Sequence, residues 1–229
     1  MNIYRYVIGQ RIASTYQPHP KILLAGDACH THSSGAAQGL NCGIHDSVNL
    51  SWKLVMVLKG LATKDVLETY ESERRTAAQR LIEFDRQISA LMSNKWPEGI
   101  PRPPGADTNE VLAGKFDSAK GLNTGLGIFY DTNLINVVSD PNSRILVRPG
   151  CRAPDGNLLK VGTLEPIRLQ RATPNRGCFY IVVFTGEPRV TYPAIFTLSR
   201  FLCQPKSFKA VLPATAVELI TVVAVGKGG

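Results

Sequence analysis

The N-terminal part of the chain contains a short apolar run that leads into small and polar residues. Residues 21–25, with the sequence KILLA, end at Gly26 and Asp27. An apolar run of this length is typical of a buried parallel strand, and ligand-facing turns follow the carboxyl ends of such strands. A loop rich in small residues, 35–39, comes shortly afterwards. The pattern therefore predicts a strand, a turn and then a helix.

Two helices are predicted after this loop. Residues 42–61 are apolar on most sides, which predicts a helix buried inside a large domain. The second helix has apolar residues at steps of three or four from Leu67 to Leu91, interrupted by charges around Arg74, and Thr63 is its predicted N-cap. The polar residues of the first helix share one narrow face: Asp46, Asn49 and Lys53.

The C-terminal half of the chain has a different pattern. Proline, glycine and asparagine interrupt residues 94–142 without a sustained period, which predicts an extended linker. Strand-like runs follow at residues 179–186 and 217–226, with an apolar helix predicted at 193–203 between them. Strand, helix and strand in this order predict a crossover connection and a parallel pair. The fold class is therefore α/β.

Composition narrows the class of protein. The 229 residues are 44% hydrophobic and 19% charged, which excludes intrinsic disorder. No run approaches the roughly 20 apolar residues of a membrane span, and the start lacks the order of a secretory signal. The five cysteines include no C-x-x-C pair, so reduced thiols are expected. We expect a cytoplasmic protein without a membrane partner.

The net charge of +8 comes entirely from the C-terminal part. Residues 144–229 hold 12 Lys and Arg against 4 Asp and Glu. These cations are scattered singly, with little aromatic interleaving, whereas nucleic-acid binding favours a basic patch or stripe. A solvated or subunit-contacting surface is the favoured interpretation, and no nucleic-acid partner is expected.

The residues around the turn allow three kinds of site. A metal site could use His30 and His32, but their spacing matches no zinc pattern, and we predict no metal. The other residues that a metal site could recruit are Asp27, Cys29, His45 and Asp46. The second kind of site is a nucleophile, which could be Cys29 or Ser33 beside a histidine, but adjacent residues rarely meet with the required geometry.

The third interpretation is a cradle for a large cofactor. Asp27 at a strand end would accept hydrogen bonds from ligand hydroxyls, and the small residues 35–39 would let backbone N–H groups approach a planar ligand. The helix N-terminus that follows would stabilise negative charge on the ligand. The alternative is a strand, turn and helix that only pack together.

The stretch GDACHTHSSGAAQGLNCGIHDSVNLSWKL closely resembles the second FAD motif of the class A flavoprotein aromatic hydroxylases, particularly the phenol 2-monooxygenase-like branch widespread in fungi. That motif reads approximately G-D-A-x-H-x-x-x-P-x-x-G-Q-G-x-N-x-x-x-x-D-A-x-N-L-x-W-K-L. The resemblance continues through YESERR and GLGIFYD. Residues 152–188 resemble the C-terminal thioredoxin-like domain of the same branch, which also lacks C-x-x-C.

The resemblance implies FAD as cofactor, with NAD(P)H as co-substrate and O2 as oxidant. It implies that Asp27 binds the ribityl hydroxyls and that the backbone of residues 38–41 meets the pyrimidine side of the flavin. No catalytic residue is assigned, because the residues that contact the aromatic substrate in the family lie mostly outside the matched portion. The implied cofactor-binding residues are Gly26, Asp27, Gln38, Gly39, Leu40 and Asn41. Packing is favoured for the motif positions Asp46, Asn49, Trp52 and Lys53.

Two residues depart from the family motif. Ser34 stands where the family has proline, which changes the rigidity of the loop. Ala37 stands where the family has the first glycine of G-Q-G, and its methyl group is costly if the position requires a positive φ.

The resemblance covers only the C-terminal portion of the family, since no G-x-G-x-x-G is present. It predicts a partial FAD-binding domain at residues 1–93, an extended linker at 94–143 and a truncated thioredoxin-like domain at 144–229. The implied function is hydroxylation of a phenolic or other aromatic substrate, as part of a larger enzyme or a fungal secondary-metabolite pathway. An N-terminal partner chain or a homodimer would complete it. The alternative is a truncated, non-catalytic polypeptide or a partner-binding subunit.

Overall fold

The computed structural model describes residues 9–137 and 147–224 of the chain, which form a mixed α/β fold. The chain divides into two compact units, one of residues 1–57 and 62–154 and the other of residues 58–61 and 155–229. No helix among the described residues has both the length and the apolar character that a bilayer crossing requires.

The first unit is built mainly from helices. Strands β1 (Arg11–Ile12) and β2 (His30–Thr31) pair antiparallel, with Ile12 opposite His30. The long helices α1 (Gly39–Leu58) and α2 (Glu68–Met92) follow, and then α3 (Thr108–Ser118) and α4 (Lys120–Asn123). Apolar residues from the β1–β2 region and the two long helices make one core: Tyr16, Cys29, Ala36, Cys42, Tyr70, Ala78 and Leu81.

The predicted strand at residues 21–25 is wrong. Ile22 makes only an isolated antiparallel bridge with His19. Leu24 donates its N–H to Tyr16 O over 2.8 Å and accepts from the Tyr70 hydroxyl over 2.7 Å. A strand needs a neighbouring backbone along its length, and no strand of the described residues pairs with 21–25. The run is instead an irregular, half-buried segment.

The sequence predicts that α1 is buried through its apolar sides. The structure contradicts this prediction. The narrow polar face of α1 is the buried one, and Asp46 and Lys53 are both 0% exposed. Burial of this face is tolerated because its charged groups meet partners on α2, which compensates their loss of water. The apolar residues of the helix include several that are exposed: Leu40, Ile44, Val48, Val55 and Leu58.

The second predicted helix is confirmed as α2, and its apolar positions form the buried side with Arg74 among them. Thr63 does not cap it, which corrects the prediction. Thr63 precedes a short 3-10 turn, Lys64–Leu67, and its hydroxyl lies 3.1 Å from the Asp65 carboxylate instead of accepting a backbone N–H.

The predicted linker is not extended throughout, because it contains α3 and α4. Asp107 caps α3 by accepting from the N–H groups of Asn109 and Glu110, over 2.6 and 3.2 Å. An aspartate followed three residues later by glutamate is a helix-start signal that could have predicted α3. The end of the predicted linker, from residue 138, lies outside the described residues.

The second unit contains a hairpin and a parallel pair. Strands β3 (Asn157–Leu159) and β4 (Pro166–Arg168) pair antiparallel and are followed by the short helix α5 (Leu169–Ala172). Strands β5 (Phe179–Gly186) and β6 (Val217–Val223) pair parallel from Phe179 opposite Val217, with α6 (Pro188–Leu202) and α7 (Phe208–Val211) between them. The predicted strand, helix and parallel strand are confirmed, although α6 begins at Pro188 and not at Pro193.

Candidate functional site

The predicted ligand-facing turn is a single 3-10 turn, Gly26–Ala28. Gly26 has φ of 59°, a left-handed conformation that side chains disfavour, so glycine is favoured here. The Gly26 carbonyl accepts from Cys29 N–H over 2.9 Å and from the Cys29 thiol over 3.3 Å, which closes the turn. Asp27 stands exposed on this turn.

Helix α1 lies directly against the turn. A Cβ atom on either Gly26 or Gly43 would lie 3.6 Å from the Cα atom of the other, so the two backbones are close neighbours. The Gly26 N–H donates to the Asp46 carboxylate over 3.0 Å. Helix α1 therefore contacts the turn both with its backbone at Gly43 and with the side chain of Asp46.

A groove of about 610 Å³ runs along the turn and the first turns of α1. Four of the six predicted cofactor-binding residues line it, namely Gly26, Asp27, Gly39 and Leu40. The first N–H groups of α1 have no acceptor within the helix, because such acceptors begin only with Cys42, whose N–H donates to Gln38 O over 2.8 Å. This end of the groove therefore combines a carboxylate with polarised N–H donors.

The other two predicted residues are placed differently. The Gln38 side chain donates to Asn123 O over 2.9 Å and accepts from the Asn41 amide over 3.2 Å. Gln38 also lines a separate small cavity of about 30 Å³ that includes Cys42 and Arg74. A ligand can therefore contact Gln38 and Asn41 through their backbone groups. Contact with their side chains requires that these hydrogen bonds first break.

Behind the turn lies a buried charge cluster centred on Asp46, a residue for which the sequence favours a packing role. One carboxylate oxygen accepts from His30 Nε2 over 2.8 Å as well as from Gly26, and the other accepts from Arg74 Nε over 2.7 Å. Arg74 in turn donates to the Tyr130 hydroxyl over 3.1 Å. The signals for the cluster were an acid on the narrow polar face of α1 and an arginine, Arg74, among the apolar positions of α2.

The cluster shifts the titration of its members. Burial disfavours the charge on Asp46, but hydrogen bonds from His30 and Arg74 outweigh it and hold the pKa of this carboxyl below its usual range. Burial likewise disfavours the charged imidazole of His30, but its hydrogen bonds to Asp46 and Cys42 raise its pKa to about 9. The buried cluster therefore carries charge at neutral pH.

The metal interpretation gains little from this geometry. Ligand atoms of Cys29, His30 and Asp46 do lie within 4.8 Å of one another. Both oxygens of Asp46 are already engaged by donors, and the Arg74 guanidinium at 2.7 Å would repel a cation. His32 donates its Nδ1–H to Ser33 O over 2.9 Å. The arrangement is that of an internal ion pair.

The nucleophile interpretation is also disfavoured. Burial raises the pKa of the Cys29 thiol to about 12, so the thiolate is scarce at neutral pH. The Ser33 hydroxyl contacts the Asp85 carboxylate and the Ser89 hydroxyl, and neither partner is a histidine. Neither candidate has the geometry of an activated nucleophile.

A second buried cluster joins α1 to α2 farther from the turn. Glu73 accepts from Lys53 Nζ and Asn49 Nδ2, each over 2.7 Å, with one oxygen. Its other oxygen accepts from Asn133 over 2.8 Å and from Asn136 over 3.3 Å. Burial lowers the pKa of Lys53, and the hydrogen bond to Glu73 opposes that shift. Asn49 and Lys53 are thus buried in a hydrogen-bond and ion-pair cluster between the two helices, and the packing role favoured from the sequence stays a prediction.

Ala37 adopts a left-handed conformation with φ of 51°. Its N–H donates to Ser34 O over 3.0 Å, so the two departures from the family motif meet in one tight turn. The condition under which the alanine methyl group is costly is therefore met.

Comparisons with known proteins point in the same direction as the motif. Residues 2–85 match the FAD binding domain family. The chain is 32% identical over 211 residues to 3-hydroxybenzoate 4-monooxygenase of Comamonas testosteroni, covering 86% of this chain and 33% of that protein. It is 35% identical over 188 residues to phenol 2-monooxygenase fsqG of Aspergillus fumigatus, covering 80% of this chain and 30% of that protein. The chain thus spans about a third of the length of these relatives.

This chain is also similar to a solved structure. The rebeccamycin biosynthetic enzyme RebC, solved with reduced flavin, superposes with a TM-score of 0.61 at 26% identity. The superposition covers 94% of this chain and 39% of RebC.

Proposed function

The chain is related to the FAD-dependent aromatic monooxygenases, and from this premise we propose that it supplies the isoalloxazine-side part of an FAD site. The proposed reaction is hydroxylation of a phenolic or other aromatic substrate with NAD(P)H and O2. The observation that carries the proposal is the position of Asp27, which lies exposed in the groove at the N-terminus of α1.

Each part of the groove has a proposed role. The Asp27 carboxylate accepts hydrogen bonds from the ribityl hydroxyls of FAD, and Gly26 and Gly39 let the ligand approach the backbone because they lack side chains. The N–H groups at the start of α1, residues 39–41, donate to the pyrimidine side, and the helix dipole stabilises negative charge there. The bound flavin supplies the redox chemistry, while the protein orients it and shields it from water.

The rest of the chain has a proposed organisation. We propose that residues 1–93 belong to the FAD-binding domain, that 94–143 form a connecting segment, and that 144–229 belong to a thioredoxin-like domain. The parallel pair β5–β6 with α6 between its strands supports the last assignment. The free cysteines of the described residues support a cytoplasmic location. We propose that the chain acts as part of a larger enzyme or in a fungal secondary-metabolite pathway, with an N-terminal partner chain or a homodimer completing the site.

The test is the FAD dissociation constant of this chain assembled with an N-terminal half from a related hydroxylase. Asp27→Ala should weaken FAD binding by roughly 10- to 150-fold, since hydrogen bonds to a charged group contribute about 1.5–3 kcal/mol. Asp65→Ala is the matched control, because Asp65 is also an exposed acid in a 3-10 turn but lies outside the groove. Equal affinity in the wild type and Asp27→Ala would contradict the assignment.

A second candidate function is a partner-binding subunit without catalysis. The exposed apolar residues of α1 favour it, since Ile44, Val48 and Leu58 are 49%, 55% and 83% exposed. The same assembly decides between the two functions. Flavin reduction and substrate-dependent NAD(P)H oxidation support the enzyme, whereas a stable assembly without bound flavin supports the subunit.

A further inference from the structure

Resting on the proposed flavin site, we propose that Asp46 is a positioning residue for that site. It holds the Gly26–Ala28 turn, and with it the Asp27 carboxylate, in the orientation that meets the ribityl chain. Asp46 itself does not line the groove. It acts through the backbone of the turn.

The contact that transmits this role is the hydrogen bond from Gly26 N–H to Asp46, 3.0 Å long. The Gly26 N–H lies in the peptide plane that joins Ala25 to Gly26, so this hydrogen bond fixes the plane that leads into the turn. The next plane, between Gly26 and Asp27, is held by the Cys29 N–H, which donates to Gly26 O over 2.9 Å. Gly43, which precedes Asp46 by three residues on α1, also packs closely against Gly26. These two contacts from α1 restrict the movement of the turn.

Asp46 can fix the turn because it is itself fixed. It is completely buried, and each of its oxygens accepts a bond from a charged partner, Arg74 on α2 and His30 on β2. Hydrogen bonds between charged groups are stronger than neutral ones, and they hold a side chain in one orientation. The carboxylate thus ties α1, α2, β2 and the turn together at one point.

The Glu73 cluster provides the contrast. Glu73 is 4% exposed, lies on α2 and pairs with Lys53 of α1 over 2.7 Å. It therefore resembles Asp46 in burial, in charge pairing and in the helices it joins. Within the described residues, none of its hydrogen bonds reaches the turn. A variant of Glu73 reports the loss of a buried ion pair without the loss of the turn's anchor.

The first experiment measures amide hydrogen exchange by NMR in the 229-residue chain without flavin. In Asp46→Asn, one oxygen and one NH2 replace two oxygens. The oxygen stays with Arg74, whose guanidinium is always protonated, so Gly26 N–H faces an NH2 and loses its acceptor. Exchange at Gly26 and Cys29 should accelerate roughly 10- to 150-fold relative to the remaining amides of the first unit.

In Glu73→Gln, the exchange rates at Gly26 and Cys29 should change by the same factor as those of the other amides of the first unit. Uniform acceleration in both variants would overturn the proposal, because it would show that Asp46 acts only on global stability. If Asp46→Asn does not fold, His30→Gln replaces it, since it removes one anchor of Asp46 and retains the Arg74 pair. It should accelerate the Gly26 amide selectively and to a smaller extent, and an unchanged Gly26 amide would again overturn the proposal.

The second experiment measures FAD dissociation constants in the assembly with an N-terminal half. If Asp46 acts through Asp27, the variants Asp27→Ala and Asp46→Asn share one effect, and the double variant binds no more weakly than Asp27→Ala alone. Asp27→Ala and Glu73→Gln should be additive. Additive losses for the Asp27 and Asp46 variants would contradict the positioning role.

The two experiments separate this inference from the proposed function. Absence of FAD binding in the wild-type assembly would contradict the proposed function. The exchange rates of the flavin-free chain would still decide whether Asp46 positions the turn.

Discussion

Replacement of Ala37 by glycine should stabilise the protein. Ala37 has φ of 51°, and an alanine in the left-handed region costs about 1–2 kcal/mol. Its side chain is exposed, so removal of the methyl group loses no buried contact. Glycine adds freedom to the unfolded chain, which costs about 0.4–1 kcal/mol. The net gain should be about 0.5–1 kcal/mol in the free energy of unfolding, or roughly 2 °C in Tm.

Urea unfolding followed by tryptophan fluorescence is the assay, because both tryptophans, Trp52 and Trp96, lie in the first unit with Ala37. Ala36→Gly is the matched control. Ala36 is buried in the core and does not have a positive φ, so its replacement should cost about 1–2 kcal/mol from a lost buried methyl group and added chain entropy. A midpoint for Ala37→Gly equal to or below that of the wild type would refute the claim that this loop is strained.

Three further predictions concern the buried cluster, the thiols and the isolated chain. Because the folded-state pKa of His30 is raised from 6.5 to about 9, its contribution to stability should be complete below about pH 6.5 and decline as the pH rises through 9; urea midpoints across pH 6–10 should show this decline in the wild type and not in His30→Gln. The second unit should show no dithiol-disulfide activity, because Cys178 and Cys203 do not form a C-x-x-C pair; insulin reduction that disappears in Cys178→Ser would overturn this. The 229-residue chain alone should neither retain FAD through gel filtration nor hydroxylate phenols, since the G-x-G-x-x-G segment that binds the pyrophosphate is not in it; co-elution of flavin with the chain would contradict this.

The elements predicted best were those whose pattern is local. Helix α2 follows from apolar steps of three and four residues, and β5, α6 and β6 follow from apolar runs separated by turns. Helix α3 was missed because its start signal at Asp107 lies among prolines and glycines that outweighed it. Local pattern was therefore enough for α2, and for β5 and β6 because the partner of each strand was itself a recognisable apolar run.

The run at residues 21–25 shows where local pattern fails. Its apolar character is that of a buried strand, but a strand exists only when another backbone lies beside it. The predicted burial of helix α1 was wrong for a related reason. Its apolar sides suggested burial, whereas the polar face is buried because Arg74 and Glu73 on α2 supply charges to Asp46 and Lys53. Sequence spacing along one helix does not reveal partners on another.

The sequence predicted the backbone turn of the candidate site but not the buried charged cluster that supports it. The turn predicted after residue 25 is present as Gly26–Ala28, and a groove lies beside it, whereas flavin binding there stays a prediction. The cluster of His30, Asp46 and Arg74 joins residues up to 44 positions apart, and no spacing rule links them. Asp46 was visible only as an acid on an apolar helix, which was interpreted as packing.

The most direct test of the flavin site is an NMR titration of the isotope-labelled chain with FAD at millimolar concentration, where even weak binding perturbs amide shifts. We predict saturable shift changes that are large at residues 26–28 and 38–41 and small near the Glu73 cluster. Asp27→Ala should abolish most of them. Changes centred elsewhere, or no changes in the wild type, would contradict the claim that this groove binds the flavin.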